Sequence, residues 1–234
     1  MRIDDLKRDV LQANLALVEH GLAHGSFGNA SGIDRDAGVM VIKPSGVPYR
    51  DMEPDMMACV DLADGARLDG LVPSSDTPTH LVLYRAFPGI GGVAHTHSPW
   101  ATVWAQARRS IPCFGTTHAD HFRGDVPCTA ALAADAIAGD YEAETGAAIV
   151  HVFADLDSVD VPAVLVASHG PFAWGADVAA AVTNVAALEL VASLAFHALA
   201  LEPGLEPVAD ALRDRHFLRK HGPSAYYGQR EAAR

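Results

Sequence analysis

The chain has 234 residues, a net charge of -12 at pH 7 and 50% hydrophobic residues. This length fits one large α/β domain, which we assign to residues 1–234, and the composition excludes an intrinsically disordered chain. The negative charge disfavours nucleic acid and anionic membranes as partners. Met1–Val10 contains no apolar signal core, so a cytoplasmic protein is predicted. The three cysteines show no Cys-x-x-Cys spacing, which indicates neither a disulfide framework nor a thiolate zinc site.

The N-terminal part predicts one helix followed by two strands. Apolar residues recur at helical spacing from Ile3 to Val18, and Gly21 follows as a stop signal. The β-rich runs 38–43 and 56–62 each lead into a turn sequence that contains glycine. We therefore expect an amphipathic packing helix and two sheet strands.

A second helix is predicted over 77–87, because Ser74-Ser75-Asp76 offers a hydroxyl cap and an acidic first turn. The elements predicted after it are a strand over 92–97, a helix over 99–108, a buried strand over 162–168 and a helix over 176–201. This alternation of helices and strands indicates an α/β protein. The last helix carries Glu189 and His197 within its apolar run, which argues against a membrane span.

The C-terminal region is polar but carries large apolar side chains. The segment 201–207, with Pro203 and Gly204, is the one plausible linker, and residues 213–229 beyond it are rich in Arg, His and Tyr. A solvated tail rarely carries residues such as Phe217 and Tyr227. We therefore expect this segment to pack against protein.

Three histidines form a predicted metal site. His95 and His97 are two apart on a predicted strand, so their rings leave the same face with Cα atoms roughly 6.6 Å apart. A catalytic zinc usually takes three protein ligands and keeps one position open. His169 supplies the third ligand economically, since it follows a buried strand and precedes a Gly-Pro turn. Asp76 is a fourth ligand, a proton acceptor or only a favourable charge near a helix N-terminus.

Phosphate capture in an acidic protein must be local, through backbone N–H groups, small hydroxyls and a cation. Three segments offer such groups: Gly28-Asn29, Lys43-Pro44-Ser45-Gly46 and Ser74-Ser75. Glycine and serine turns are often only turns, so each segment taken alone is a weak indication.

Two other chemistries are rejected on context. Residues 89–94 match the dinucleotide fingerprint, but these glycines follow a helix and open a strand, the reverse of the true motif. We therefore predict no NAD or other nicotinamide cofactor. Cys113 and Cys128 near His118 would allow a thiol nucleophile, but buried structural thiols are much commoner.

Seven motifs are distributed over nearly the whole chain. They are Gly28-Asn29 with Ser31, Ile42-Lys43-Pro44-Ser45-Gly46, Pro73-Ser74-Ser75-Asp76-Thr77, His95-Thr96-His97-Ser98, Gly115-Thr116-Thr117-His118-Ala119-Asp120, residues 169–175, and His221-Gly222 with Ala225–Gln229. Together they resemble the L-ribulose-5-phosphate 4-epimerases of the class II aldolase and epimerase superfamily. The resemblance implies a single-domain three-layer α/β/α sandwich with a central, largely antiparallel sheet. It also implies a homotetramer with active sites at subunit interfaces, to which the segment 206–234 contributes.

The resemblance further implies roles for individual residues. One divalent metal per subunit, zinc or alternatively manganese, would lie at His95, His97 and His169 with Asp76 beside it. Asp120 and Tyr227 would be the acid and base, both supplied by a neighbouring chain. The small-molecule sugar phosphate would be held by Gly28, Asn29, Lys43, Ser45, Gly46, Ser74, Ser75, Thr116, Glu142 and His216.

The implied reaction agrees with the chemistry of its substrate. In a 2-ketopentose phosphate, C4 lies beta to the carbonyl and its C–H bond is not activated, so deprotonation cannot invert it. Cleavage of the C3–C4 bond, rotation of glycolaldehyde phosphate and re-addition would convert L-ribulose 5-phosphate into D-xylulose 5-phosphate. Asp120 and Tyr227 would then flank the substrate.

Several positions depart from the family pattern. His121 stands where a tyrosine is usual, Pro99-Trp100 follows Ser98, and Ala130 replaces an arginine. A related pentulose or hexulose phosphate therefore stays open as substrate. A sugar-phosphate aldolase of the fuculose- or rhamnulose-phosphate type is the nearest alternative, although such aldolases resemble Ser-Ser-Glu at the position of Asp76. A non-enzymatic domain like the adducin head is disfavoured, because it lacks the metal histidines.

Overall fold

One antiparallel sheet organises the chain in the computed structural model, which describes residues 2–227. Seven strands in this range have the spatial order β4-β3-β2-β1-β5-β7-β6, and every neighbouring pair is antiparallel. The strands are β1 (Asn29–Asp34), β2 (Val39–Ile42), β3 (Ala58–Asp61), β4 (Arg67–Asp69), β5 (Gly92–His95), β6 (Ala163–Leu165) and β7 (Pro171–Gly175). The α-helices are α1 (Ile3–Glu19), α2 (Thr77–Ala86), α3 (Pro99–Gln106), α4 (Thr116–Ala119), α5 (Ala134–Ala138), α6 (Tyr141–Val152), α7 (Val178–Leu201) and α8 (Asp210–His221). Single 3-10 turns occur at Tyr49–Asp51 and Pro54–Met56.

Helices cover both faces of the sheet and form the outer layers of a three-layer sandwich. Successive strand residues point to opposite faces, so in β7 Ala173 faces the core under α1, α3 and α7, whereas Phe172 and Trp174 face the core under α2 and α6. Two separate buried clusters therefore lie on either side of the sheet. The predicted α/β/α architecture with an antiparallel sheet is confirmed.

The central strand β1 was not predicted from the sequence. Apart from Ile33 its residues are small or polar, yet all of them are buried because helices cover both faces of the sheet at this point. Asn14 on α1 anchors the strand, since its Oδ1 accepts from the N–H of Ala30 and its Nδ2 donates to the carbonyl of Ala30. Tertiary burial, rather than local sequence preference, makes this segment a strand.

The predicted start of the second helix is confirmed, but its predicted cap is wrong. Helix α2 begins at Thr77, and Asp76 occupies the N-cap without a side-chain capping bond. The carboxylate of Asp76 instead accepts a hydrogen bond from Asn29. The acidic residue is therefore drawn away from the helix N-terminus by a partner on β1.

The predicted strands that carry the histidines are shorter than expected. Strand β5 ends at His95, because its partner β7 begins at Pro171. The residues opposite His97 belong to the turn between β6 and β7 and offer no strand to pair with. Strand β6 ends at Leu165, and His169 lies in the turn before β7, where Ser168 has a φ of +64°. The predicted turn at Gly170-Pro171 is also displaced, since Pro171 is already a strand residue.

Helix α7 begins at Val178, two residues later than predicted, with Asp177 as its N-cap. Within the described residues it is the helix that is long and apolar enough to cross a membrane, by length and composition alone. It packs on β5, β7 and α3, and half of its most apolar window is buried inside the protein. The carboxylate of Glu189 at its centre accepts hydrogen bonds from the N–H groups of Trp100 and Ala101 at the start of α3. These contacts are those of a core helix.

The polar C-terminal segment folds as helix α8 and packs on α4 of its own chain. Phe217 is its one buried residue among those described. The expected packing is therefore confirmed for α8 through Phe217, whereas Tyr227 beyond the helix is exposed. Gly228 and Gln229 of the predicted C-terminal motif lie outside the described residues.

Candidate active site

The candidate active site lies at one end of three neighbouring central strands. Asn29 is the first residue of β1 and pairs with His95, the last residue of β5. His95 also pairs with Phe172 near the start of β7, and their rings stack with centroids 4.1 Å apart. Antiparallel pairing thus brings the start of β1, the end of β5 and the β6–β7 turn together.

The three predicted metal histidines converge at this place. Their ligand nitrogens all lie within 4.8 Å of one another. The ring centroids of His95 and His97 are 5.0 Å apart, and His169 lies 4.8 Å from the first and 5.0 Å from the second. His97 reaches the group although it lies beyond the strand, and its Nε2 is 3.2 Å from the Nε2 of His95.

The imidazoles have the protonation that metal binding requires. The Nδ1 of His95 lies 2.9 Å from the carbonyl oxygen of Pro171, so it must carry the proton and leave the Nε2 lone pair free. Burial lowers the pKa of His95 and His169 below the usual value, and partial loss of water around the ring lowers that of His97, which keeps the rings neutral at pH 7. Neutral imidazole nitrogens suit zinc or manganese, so the residues present fit a divalent cation.

Asp76 lies beside the histidines without joining their group of mutually close ligand atoms. Its Oδ2 accepts a 2.6 Å hydrogen bond from the Nδ2 of Asn29. Burial acts to raise the pKa of Asp76, but charge interactions with His95 and His80 and the bond from Asn29 outweigh it, so the pKa lies below its usual value. An ionised carboxylate next to the histidines suits either an outer metal ligand or a proton acceptor.

The histidines and Asp76 border a cavity of about 490 Å³. Most of the predicted substrate-binding residues line the same cavity, namely Gly28, Asn29, Lys43, Ser45, Gly46, Ser74, Ser75 and Glu142. A cavity of this size with mixed hydroxyl, amide and imidazole groups can enclose a small polar molecule.

Two paired loops form the wall that the sequence identified as an anion site. The N–H of Ser45 donates to the carbonyl of Val72, and the N–H of Ser74 donates to the carbonyl of Lys43. Lys43 is buried at the base of this wall, and burial lowers the pKa of its amine. Gly46 has a φ of +70°, a backbone conformation that favours glycine at this turn. Serine hydroxyls beside a lysine suit a phosphate group.

Gly28 is required at the opposite wall. It has a φ of +82°, and an added Cβ would lie 3.0 Å from the carbonyl oxygen of His95. The hydroxyl of Tyr49 donates to the carbonyl of Gly28 at 2.8 Å and fixes this turn. A larger residue would push the loop away from β5 and open the site.

The remaining predicted site residues do not line the cavity. Asp120 and Thr116 belong to α4 and its C-terminal cap, and His216 and Tyr227 belong to α8 and the residues after it. The Nδ1 of His216 lies 3.1 Å from Asp120, which places this group in a second cluster. Within one chain, the structure therefore brings the predicted metal and phosphate residues together but keeps Asp120 and Tyr227 apart from them.

Sequence reasoning missed three residues around these clusters. The hydroxyl of Tyr141 lies 3.3 Å from the Nδ1 of His169, and Phe27 lies on the cavity wall with its ring 5.9 Å from that of His97. Arg219 contacts Asp120 in the second cluster. Tyr141 directly precedes the predicted Glu142, but neither periodicity nor motif spacing singled it out.

Comparison with known proteins agrees with this arrangement. Residues 8–196 match the family described as class II aldolase and adducin N-terminal domain. The chain is 50% identical, over 96% of its length and 99% of the relative, to L-ribulose-5-phosphate 4-epimerase UlaF from Salmonella paratyphi A (strain ATCC 9150 / SARB42).

Solved structures share the fold. An L-fuculose 1-phosphate aldolase is 25% identical, with a TM-score of 0.75 over 91% of this chain and 94% of that chain. The L-fuculose 1-phosphate aldolase from Glaciozyma antarctica PI12, 17% identical, gives a TM-score of 0.77 over 95% of this chain and 84% of that chain. The chain therefore belongs to the class II aldolase and adducin N-terminal domain family, and its relatives at about 50% identity are epimerases.

Proposed function

We propose that the protein interconverts L-ribulose 5-phosphate and D-xylulose 5-phosphate in the cytoplasm. The observation that carries this proposal is the single cavity that joins three converging histidines to a wall of serine hydroxyls and a buried lysine. This combination provides a cation site and a phosphate site in one cavity. The 50% identity to a protein named for this reaction supports the substrate.

Different residues of the cavity bind the phosphate and the metal ion. Ser45, Ser74 and Lys43 bind the phosphate through hydroxyl groups and one cation. His95, His97 and His169 would hold zinc, which as a Lewis acid would stabilise the oxygen atoms of the dihydroxyacetone enediolate.

Glu142 and Asn29 also line this cavity and orient the substrate hydroxyls. Asp76 stays ionised beside the histidines and adds negative charge next to the cation. These contacts hold the ketopentose in the cavity.

Asp120 and Tyr227 transfer protons to and from the C4 oxygen. One removes the proton from the C4 hydroxyl as the C3–C4 bond breaks, and the other protonates the new alkoxide after the aldehyde has rotated. Thr116 and His216 lie in the same cluster and contact the substrate from that side. Since this cluster does not line the cavity of its own chain, we propose that a neighbouring copy supplies it.

A homotetramer would place the two clusters face to face. Apolar side chains on α7 support such an assembly, because Leu190 and Leu194, one turn apart on the helix, are both exposed in the single chain. The segment 206–234 would carry Tyr227 into the site of the neighbouring copy as part of one domain, 1–234. Active sites would then form only at subunit interfaces.

A sugar-phosphate aldolase is the second candidate, and the likeness to an L-fuculose 1-phosphate aldolase favours it. Both reactions break a carbon–carbon bond next to the same kind of site. They differ in whether the aldehyde is released or recaptured.

Product analysis separates the two candidates. Zinc-loaded protein is incubated with L-ribulose 5-phosphate, and D-xylulose 5-phosphate and free glycolaldehyde phosphate are both followed by NMR. The epimerase predicts D-xylulose 5-phosphate without free aldehyde. Accumulating aldehyde would favour the aldolase, and absence of any turnover would overturn the proposed substrate.

A further inference from the structure

The carboxylate of Asp120 is surrounded by basic side chains of α8. The guanidinium of Arg219 binds both carboxylate oxygens through Nη2, at 2.9 Å to Oδ1 and 2.8 Å to Oδ2, and its Nε adds a bond of 3.1 Å to Oδ1. The Nζ of Lys220 lies 3.6 Å from Oδ2, and the Nδ1 of His216 lies 3.1 Å from Oδ1. Arg219 thus holds the carboxylate by both of its oxygens.

Tyr227 is held by the same arginine. The guanidinium carbon of Arg219 lies 5.0 Å from the centroid of the Tyr227 ring, and the Nζ of Lys220 lies 4.8 Å from it. The carbonyl of Arg219 also accepts hydrogen bonds from the N–H groups of Tyr226 and Tyr227, at 2.9 and 3.1 Å. The backbone of Arg219 therefore fixes the turn that follows α8, and its side chain lies between the phenol ring and the carboxylate.

We propose that Arg219 is a positioning residue that holds Asp120 and Tyr227 as one unit for proton transfer. This inference rests on the proposed function, in which these two residues act on the C4 oxygen. It assigns to Arg219 no contact with the substrate. Its action is to fix two groups that are 107 positions apart in the sequence, relative to each other, before they enter the site of a neighbouring copy.

The charge balance of the reaction explains why a permanent cation suits this position. Asp120 starts as a carboxylate and takes the proton of the C4 hydroxyl, while the Tyr227 phenol gives its proton to the new alkoxide. After one turnover the proton is on Asp120 and the negative charge is on Tyr227. Arg219 contacts both groups, so it lies next to one negative charge before and after the transfer. Exchange of protons with solvent after product release then removes the proton from Asp120 and returns one to Tyr227, which restores the starting state for the next turnover.

The electrostatics of Asp120 agree with this starting state. Burial acts to raise the pKa of Asp120, but the hydrogen bonds from Arg219 and His216 outweigh it and lower the pKa below the usual range. The other charged or titratable groups that face Asp120 are Lys220 and His221 on α8 and His121 on its own segment. Asp120 is therefore ionised at neutral pH.

The test compares Arg219→Gln with Arg215→Gln in the full-length protein. Arg215 is exposed on the same helix and is not among the groups that contact Asp120 in residues 2–227. With L-ribulose 5-phosphate, Arg219→Gln should lower kcat about 100-fold and change KM less than about threefold, because it misplaces proton-transfer groups. It should also move the acidic limb of kcat/KM up by about one pH unit, since Asp120 loses a cation. Arg215→Gln should keep wild-type values.

Two further variants distinguish positioning from a merely structural role. Arg219→Lys keeps a positive charge but cannot bind both carboxylate oxygens as the guanidinium does. It should remain folded and have a kcat about tenfold higher than that of Arg219→Gln. In an Asp120→Asn, Tyr227→Phe double-variant background, Arg219→Gln should lower the residual kcat less than about threefold, because both groups that Arg219 positions are then already disabled.

The outcomes also separate this inference from the proposed function. Full activity of Arg219→Gln, an unmoved acidic limb, or an undiminished loss of kcat in the Asp120→Asn, Tyr227→Phe background would overturn the positioning role alone while wild-type turnover stands. If Arg219→Gln does not fold, full activity of Arg219→Lys would equally overturn the positioning role. A wild-type enzyme without turnover would overturn both proposals.

Discussion

The Nδ2 atom of Asn29 donates a 2.6 Å hydrogen bond to the Oδ2 atom of Asp76. This bond joins the start of the central strand β1 to the N-cap of α2, directly beside the three histidines. The other side-chain atom of Asn29, Oδ1, is buried and has no protein hydrogen-bond partner among the described residues. Asn29 therefore orients Asp76 through its amide nitrogen, from a side chain that is almost fully buried.

Asn29→Ala should lower kcat/KM by about 10- to 100-fold, because it removes a hydrogen bond to a charged group worth about 1.5–3 kcal/mol. Zinc content should stay at the wild-type level, since the histidines are unchanged. Asn184→Ala is the matched control, as Asn184 binds the carbonyl of Trp174 outside the cavity. Wild-type kinetics for Asn29→Ala would contradict the role assigned here.

His97→Ala should weaken zinc binding by at least about 100-fold while leaving the metal-free fold intact, because His97 is exposed and lies beyond β5. Zinc content after dialysis and circular dichroism measure the two effects. His24→Ala, at an exposed position outside the cavity lining, should retain full zinc. Full metal occupancy in His97→Ala would refute the proposed ligand set.

Mixing two inactive variants should restore activity if each site draws on two chains. Random reassembly of His97→Ala with Tyr227→Phe subunits after denaturation should give about a quarter of wild-type activity, because about one site in four receives both intact halves. Each variant refolded alone provides the baseline. Activity no higher than that baseline would place the cavity and Tyr227 of one chain in the same site.

Among the glycines that match the dinucleotide fingerprint, Gly92 allows β5 to pack closely against the start of α7. A Cβ added at Gly92 would overlap the backbone of Asp177 and Val178, whereas one at Gly89 would meet only a Val159 methyl at 3.9 Å. Gly92→Ala should therefore lower the free energy of unfolding by about 2 kcal/mol or more. Urea denaturation should show Gly89→Ala close to wild type, and equal effects of both changes would contradict this explanation.

His118 should make the protein less stable in mild acid. Burial lowers its pKa to about 4 from the usual 6.5, so the unfolded chain takes up a proton that the folded chain refuses. Stability from this residue is present above pH 6.5 and decreases as the pH falls towards 4, by about 2 kcal/mol at pH 5. His118→Gln keeps a donor for the Gly124 carbonyl and should lose less stability between pH 7.5 and 5, measured by urea denaturation.

The control for this prediction is His24→Gln, which changes an exposed histidine. It should show the same loss on acidification as the wild-type protein. Identical pH dependence in His118→Gln and His24→Gln would indicate that His118 is protonated equally well in the folded chain.

The sequence alone was sufficient to predict secondary structure wherever the preference of the residues was local. Helical spacing from Ile3 predicted α1, and β-rich runs predicted β2 and β3, because these segments hold their preferences without help from distant residues. The motifs around His95 and His169 likewise indicated the histidines that the fold brings together.

Features that depend on contacts between residues distant in sequence could be established only from the tertiary structure. Strand β1 has a weak local preference and forms because α1 and the sheet bury it. The partner of Asp76, the end of β5 before His97 and the packing of α8 on α4 all depend on pairings that sequence spacing does not encode. The sequence therefore determined which chemical groups are available, and the long-range burial and hydrogen bonding of the folded chain determined how they are arranged.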